Sequence, residues 1–181
     1  NPRTFIGSQS SGMSDSVDGG YYFTANSAAN SAHLRDFNLK CQYDPNASVN
    51  ISVYKFNQTG TSDHYIINGF ARVDNNTHSV QGGRRNASNK FMLRSSDSSV
   101  TVMDTSKVLD TSYHTHKLIC NSSDVKIEID GTLEATKTTN HPTLNMQPIF
   151  FVQVMYNQAS VTQNIRYMEC YNTWPNQSMT N

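Results

Sequence analysis

No stretch of this 181-residue chain holds the roughly 18 consecutive apolar residues that a membrane-spanning helix requires, so no insertion by a helix is expected. Charge of either sign is scarce and balanced: 14 Lys and Arg face 14 Asp and Glu, for a formal net charge of zero. That leaves no basic field to hold nucleic acid or anionic lipid, and neither is expected as a partner. The first residues, Asn1-Pro2-Arg3, show no charged-then-apolar leader, and any secretory signal is expected to have been removed or omitted. Cysteine is rare as well. Cys41, Cys120 and Cys170 lie far outside the two-to-four-residue spacing of zinc ligands, so no metal or cofactor is expected from them. An odd number allows at most one internal disulfide; each cysteine ends a predicted strand, so any two of the three qualify as a pair, and three buried thiols are the alternative. Gly82-Gly83-Arg84-Arg85 lacks the Gly-Lys-Ser/Thr ending of a phosphate loop and reads as a flexible turn carrying two cations.

What the chain does have is period-two alternation. Residues 125–130 and 132–137 face each other across Asp130-Gly131, a pair that tolerates the positive φ of a two-residue hairpin turn. Further strands are predicted at 21–25, 34–43, 49–56, 64–73, 78–80, 90–94, 99–103, 113–120, 149–156 and 163–171, separated by turn clusters such as Asp44-Pro45-Asn46 and Gln81-Gly82-Gly83. No long helical period interrupts them. The expected fold is all-β, an antiparallel β-sandwich or jelly roll. Residues 1–19 are Ser/Gly/Asp-rich and unpatterned, which predicts a flexible N-terminal arm, then one domain over 20–173 and a C-terminal tail at 174–181.

Asn-X-Ser/Thr sequons stand at Asn46, Asn50, Asn57, Asn75, Asn86, Asn121 and Asn176, an excess over the roughly four that chance would give in so Asn- and Ser-rich a chain. With the neutral, hydroxyl-rich surface they point to a glycosylated extracellular or virion-surface protein. His114 and His116 alternate on one predicted strand face, which directs two imidazoles toward one ligand; the sequence shows no neighbouring carboxylate, and the plain alternative is an exposed polar pair. Glu128 and Asp130 would share a strand face as in a glycosidase carboxylate ladder, but Gly131 makes Asp130 a hairpin corner and puts Glu134 on the returning strand. Tyr21, Tyr22, Tyr54, Tyr65, Phe70, Tyr156, Tyr167 and Trp174 offer rings for stacking on sugar, wherever they are not core.

The order of these features resembles the concanavalin A-like jelly-roll superfamily, with its laminin-G-type modules, lectins and polysaccharide-degrading enzymes. The resemblance rests on Tyr113-His114-Thr115-His116-Lys117-Leu118, on Val125-Lys126-Ile127-Glu128-Ile129-Asp130-Gly131, and on the closing strand Ile165-Arg166-Tyr167-Met168-Glu169-Cys170-Tyr171. It implies calcium by analogy only, and Asp15-Ser16-Val17-Asp18 and Asp74-Asn75-Asn76 are the oxygen-rich clusters that analogy would use. Phe150-Phe151-Val152-Gln153-Val154-Met155-Tyr156-Asn157-Gln158 is similar to the Tyr-X-Lys-X-Gly-X-Tyr-X-Gln strand of the alginate-lyase-like members. Tyr156 and Gln158 match, while Val152 replaces the Lys. The Gln-Ile-His signature is replaced by Ile66-Ile67-Asn68, and of the Arg-X-Glu-X-Arg strand only Arg35 stands. β-Elimination needs the uronate carboxylate neutralised while a base removes the adjacent proton, and a phenol with pKa about 10 is a poor base alone. The resemblance therefore implies a non-catalytic module that binds carbohydrate or a cell-surface ligand, with Tyr156, Gln158, Arg35, His114 and His116 as candidate contacts. The alternatives are a structural subunit of a filament, sheath or virion that polymerises by strand addition through residues 1–19 or the tail, and an active uronate lyase.

Overall fold

The computed structural model describes residues 4–7, 11–15, 21–25, 31–35, 42–57, 64–72, 77–85, 88–154 and 161–173. They form fourteen strands and, among the described residues, no helix: β1 (Thr4–Gly7), β2 (Ser11–Asp15), β3 (Tyr21–Ala25), β4 (Ser31–Arg35), β5 (Ala47–Phe56), β6 (His64–Ala71), β7 (His78–Arg84), β8 (Lys90–Asp97), β9 (Ser99–Val108), β10 (His114–Asn121), β11 (Val125–Ile129), β12 (Thr132–Lys137), β13 (Gln147–Val154) and β14 (Val161–Asn172). Two antiparallel seven-stranded sheets stack face to face. The order is β1-β4-β13-β6-β7-β8-β9 in sheet A and β12-β11-β10-β5-β14-β3-β2 in sheet B.

Period-two burial explains the stacking. On β10, His114, His116, Leu118 and Cys120 are buried while Thr115 is exposed and Lys117, Ile119 and Asn121 are half-buried; on β11 the buried positions are Val125, Ile127 and Ile129. These meet Phe70, Val80, Phe91 and Leu93 from sheet A in one core. Each fully buried side chain of this size contributes about 1.5–3 kcal/mol. The hairpin over Asp130-Gly131 forms as the sequence predicts, with φ of 52° and 82°.

Three expectations change. Two segments of the predicted N-terminal arm are edge strands of their own chain, β1 pairing with β4 and β2 with β3; the arm was unreadable because an edge strand needs no apolar alternation. The strand expected over 34–43 starts earlier, at Ser31, and is described as far as Arg35; residues 36–41 lie outside the described residues, and Tyr43 makes an isolated bridge to Met146. Gly82-Gly83-Arg84 is no turn: it continues β7, with Arg84 fully buried. Gly82 is needed there because a Cβ would lie 2.8 Å from Ile127 Cδ1.

Candidate functional site

Alternation divides sheet A into two faces. Asn68, Phe70, Val80 and Leu93 turn inward: Phe70, Val80 and Leu93 join the core, and Asn68 Oδ1 accepts a 2.7 Å bond from Gln163 Nε2 of sheet B. Intervening residues therefore take the outer face, where pairing aligns Ile149, Gly69, Gln81, Arg94 and Val102 along one line across β13, β6, β7, β8 and β9. Arg35, predicted as a ligand contact, sits on the same line, opposite Ile149. By strand spacing its Cα is about 14 Å from that of Gln81, three strands away.

This face mixes polar side chains with Ile67, Ala71, Met92 and Ile149 and is largely withdrawn from solvent. Ser79, Gln81, Met92 and Ser96 are fully buried although they point away from the core. Gln81 Oε1 accepts a 3.0 Å bond from Arg94 Nη1. Gln81 Nε2, Ser79 Oγ and Gln147 Oε1 are buried with no partner in the protein, and such groups cost about 1–3 kcal/mol each until something bonds them. Arg85 Nε and Asp104 Oδ1 pair at 3.2 Å farther along, with Ser88 Oγ on the same carboxylate. Sequence reasoning missed Gln81 and Arg94. The signal was the unbroken alternation of Ser79, Gln81 and Gly83 against Val80 and Gly82, masked by the glycines.

Tyr156 and Gln158 lie outside the described residues. Their strand enters as β13, where Phe150, Val152 and Val154, the positions matched to the lyase Tyr, Lys and Gly, pair with Asn68, Ile66 and His64 of β6.

His114 and His116 are brought together, but the reading of an exposed pair without carboxylates is corrected. They are 7% and 1% exposed. Two carboxylates hold His114: Asp130 Oδ2 lies 2.7 Å from Nδ1 and Asp110 Oδ1 lies 2.9 Å from Nε2. Lys107 Nζ reaches the same Asp130 oxygen at 2.7 Å, and the Thr115 amide donates to its Oδ1. Burial pushes the Asp130 carboxyl upward, yet Lys107, the Thr115 amide and His114 outweigh it and hold the group well below the usual carboxylate range. Asp110 is lowered too, by Ser112 and His114 against burial. His116 Nδ1 meets Tyr54 Oη at 3.0 Å, and the rings stack at 4.2 Å. Burial, and then the charge of His114, push His116 down to about 3. Phe91 of sheet A packs edge-on against both imidazoles. The cluster is thus a polar clasp at one end of the sandwich, with no ring turned to a ligand. Asp110 was not foreseen although it stands only four residues before His114, in the loop that leads into β10. Glu128 faces outward to Lys117 at 3.3 Å, so it shares no face with Asp130, and Glu134 bonds β9 through Ser106 and Lys107.

Among the sequons, Asn46 and Asn57 are exposed, and Asn57 Oδ1 accepts from the Thr162 amide. Asn121 donates Nδ2 to Asp124. Asn50 is a correction: it is fully buried, its Nδ2 on Cys170 Sγ at 3.0 Å, and a glycan there is incompatible with the closed sandwich. Asn75, Asn86 and Asn176 lie outside the described residues. No disulfide joins Cys120 to Cys170, one of the three pairings the sequence left open. These two cysteines flank β5, opposite Ser48 and Asn50, and two strand spacings of about 4.8 Å exceed the span of a disulfide, usually under about 7 Å between Cα atoms. Burial raises the Cys120 thiol to about 12. Cys41 lies outside the described residues.

These two sheets define a concanavalin A-like jelly roll, with a degenerate resemblance to the alginate lyases. The architecture is similar to that of alginate lyase AlgAT5 from polysaccharide lyase family 7, with a TM-score of 0.67, 12% identity and coverage of 90% of this chain and 82% of that one. It is similar as well to the carbohydrate-binding module CBM66 from Bacillus subtilis, with a TM-score of 0.67, 8% identity and coverage of 93% and 95%. A protein titled sialidase matches at a TM-score of 0.69 and 7% identity, covering 94% of this chain and 17% of that one. No family model matches the sequence, and no curated protein does.

Proposed function

We propose that the protein is a non-catalytic carbohydrate-binding module that takes a sugar chain across the outer face of sheet A. The observation that carries this reading is the Gln81–Arg94 pair, whose Gln81 Nε2 is buried and unbonded by protein. A polyhydroxylated ligand admitted to this buried face supplies the acceptor this donor lacks; the backbone of Arg35 stands on the same register line. The likeness to a carbohydrate-binding module supports the same class through the fold. The exposed sequons at Asn46 and Asn57 support an extracellular setting.

The test is calorimetric titration with a panel of neutral and acidic oligosaccharides. Gln81→Leu, which keeps the volume, is expected to weaken binding about 5- to 150-fold, because the loss of a hydrogen bond at a desolvated site costs about 1–3 kcal/mol. Tyr156→Ala and Gln158→Ala test the strand matched to the lyases. No binding at millimolar sugar overturns the proposal, and an unsaturated ultraviolet-absorbing product from polyuronate replaces it with a lyase.

A further inference from the structure

Among the described strands β9 is the outermost of sheet A and pairs only with β8. Its far half is guarded: the amides of Ser106 and Lys107 bond the Glu134 carboxylate, and the ladder is irregular between Lys90 and Met92 on the β8 side. Its near half carries no such carboxylate; there Asn140 Nδ2 donates to the Thr101 hydroxyl at 3.3 Å, a side-chain contact. Residues 99–103 read Ser-Val-Thr-Val-Met, with no proline, no charge and no bulge, the devices by which edges normally avoid pairing. Val100 is 51% and Met103 40% exposed. On the opposite sheet, the β12 edge carries Glu134 and Lys137, and its pairing with β11 is bulged.

We propose that this edge pairs antiparallel with β9 of a second copy of the chain, about a two-fold axis through Thr101. A two-fold between adjacent antiparallel strands stands perpendicular to the sheet and keeps each face on its own side, so paired positions share parity. Centred on Thr101, the register sets Val100 against Val102, Thr101 against Thr101, Ser99 against Met103 and Ser98 against Asp104. β-Branched residues meet β-branched residues, a favourable cross-strand pairing, and no like charges oppose. A chain of zero net charge has no long-range repulsion against its own copy. Self-complementarity about one residue favours a second copy over an unrelated extended peptide.

Sedimentation equilibrium of the full chain from micromolar to near-millimolar concentration tests this. A monomer–dimer equilibrium is expected, with the dissociation constant raised at least tenfold by Val102→Lys, which sets a charge opposite Val100 on a half-exposed position. Thr101→Cys is expected to form a covalent dimer on mild oxidation, since paired Cα atoms about 4.5–5.5 Å apart suit a disulfide; the wild-type chain, treated alike, controls for Cys41, Cys120 and Cys170. A monomer throughout overturns the proposal. So does a dimer indifferent to Val102→Lys with no Thr101→Cys link, or an edge that takes up an added peptide but not its own copy.

Discussion

Replacing Gly69 by alanine is expected to cost about 3–5 kcal/mol, a large share of the roughly 5–15 kcal/mol that holds a domain together. Gly69 lies mid-strand in β6 with φ of 137°, where a Cβ would fall 2.3 Å from the Val80 carbonyl oxygen and 2.6 Å from Leu118 Cδ1. The first contact is with backbone and yields only if the β6–β7 pairing opens; the second forces a core side chain of the facing sheet aside. Conformational strain adds about 1–3 kcal/mol. Gly131→Ala is the control: its φ is 82° with nothing within 4 Å, so only the left-handed strain of about 1–2 kcal/mol applies. Denaturant titration of both variants is the measurement, and a Gly69 variant no weaker than the Gly131 variant contradicts the packing described.

The second large effect is acid sensitivity seated at the clasp. His116 is held neutral down to about 3 in the folded chain, whereas an unfolded histidine titrates near about 6.5. A depressed group stabilises fully above its unfolded pKa and loses that contribution as pH falls toward its folded value. Stability is therefore expected to drop between about 6.5 and 3, by on the order of a few kcal/mol. His116→Phe keeps the stacking with Tyr54 and Phe91, gives up the Tyr54 bond at about 1 kcal/mol near neutrality, and flattens that limb. Asp130 adds a second limb. Its carboxyl is lowered, so its contribution is present above the unfolded carboxylate pKa of about 3.9 and fades below it. The Asp130→Asn variant should be less stable than wild type near neutrality and converge on it in acid below about 3.9. Thermal melts across pH check both, and an unchanged acid limb in His116→Phe removes His116 as its source.

How much the sequence discloses follows from what each element needs. The β10–β11–β12 meander is legible because alternation and Asp130-Gly131 act locally. On β5 the apolar alternation of Val49, Ile51 and Val53 announces the strand, yet Ser48, Asn50 and Ser52 are the fully buried partners of the inward residues of β10; which face turns in is decided by the flanking strands. β1 and β2 are illegible because an edge strand is specified by the sheet it joins. The same holds for the candidate site. Arg35 was found through the lyase likeness, whereas Gln81 and Arg94 become neighbours only when β7 and β8 pair. Asp110 stands four residues before His114 and is near it in sequence, whereas Asp130 reaches His114 only when β10 and β11 pair.

Chemical-shift mapping of side-chain and backbone amides during oligosaccharide titration tests the central claim most directly. Perturbations centred on Gln81, Arg94, Ser79 and Gln147, with the sugar recovered intact, are expected. Shifts confined to the outer face of sheet B around Tyr167 and Tyr171, or cleavage of the sugar during the titration, would contradict it.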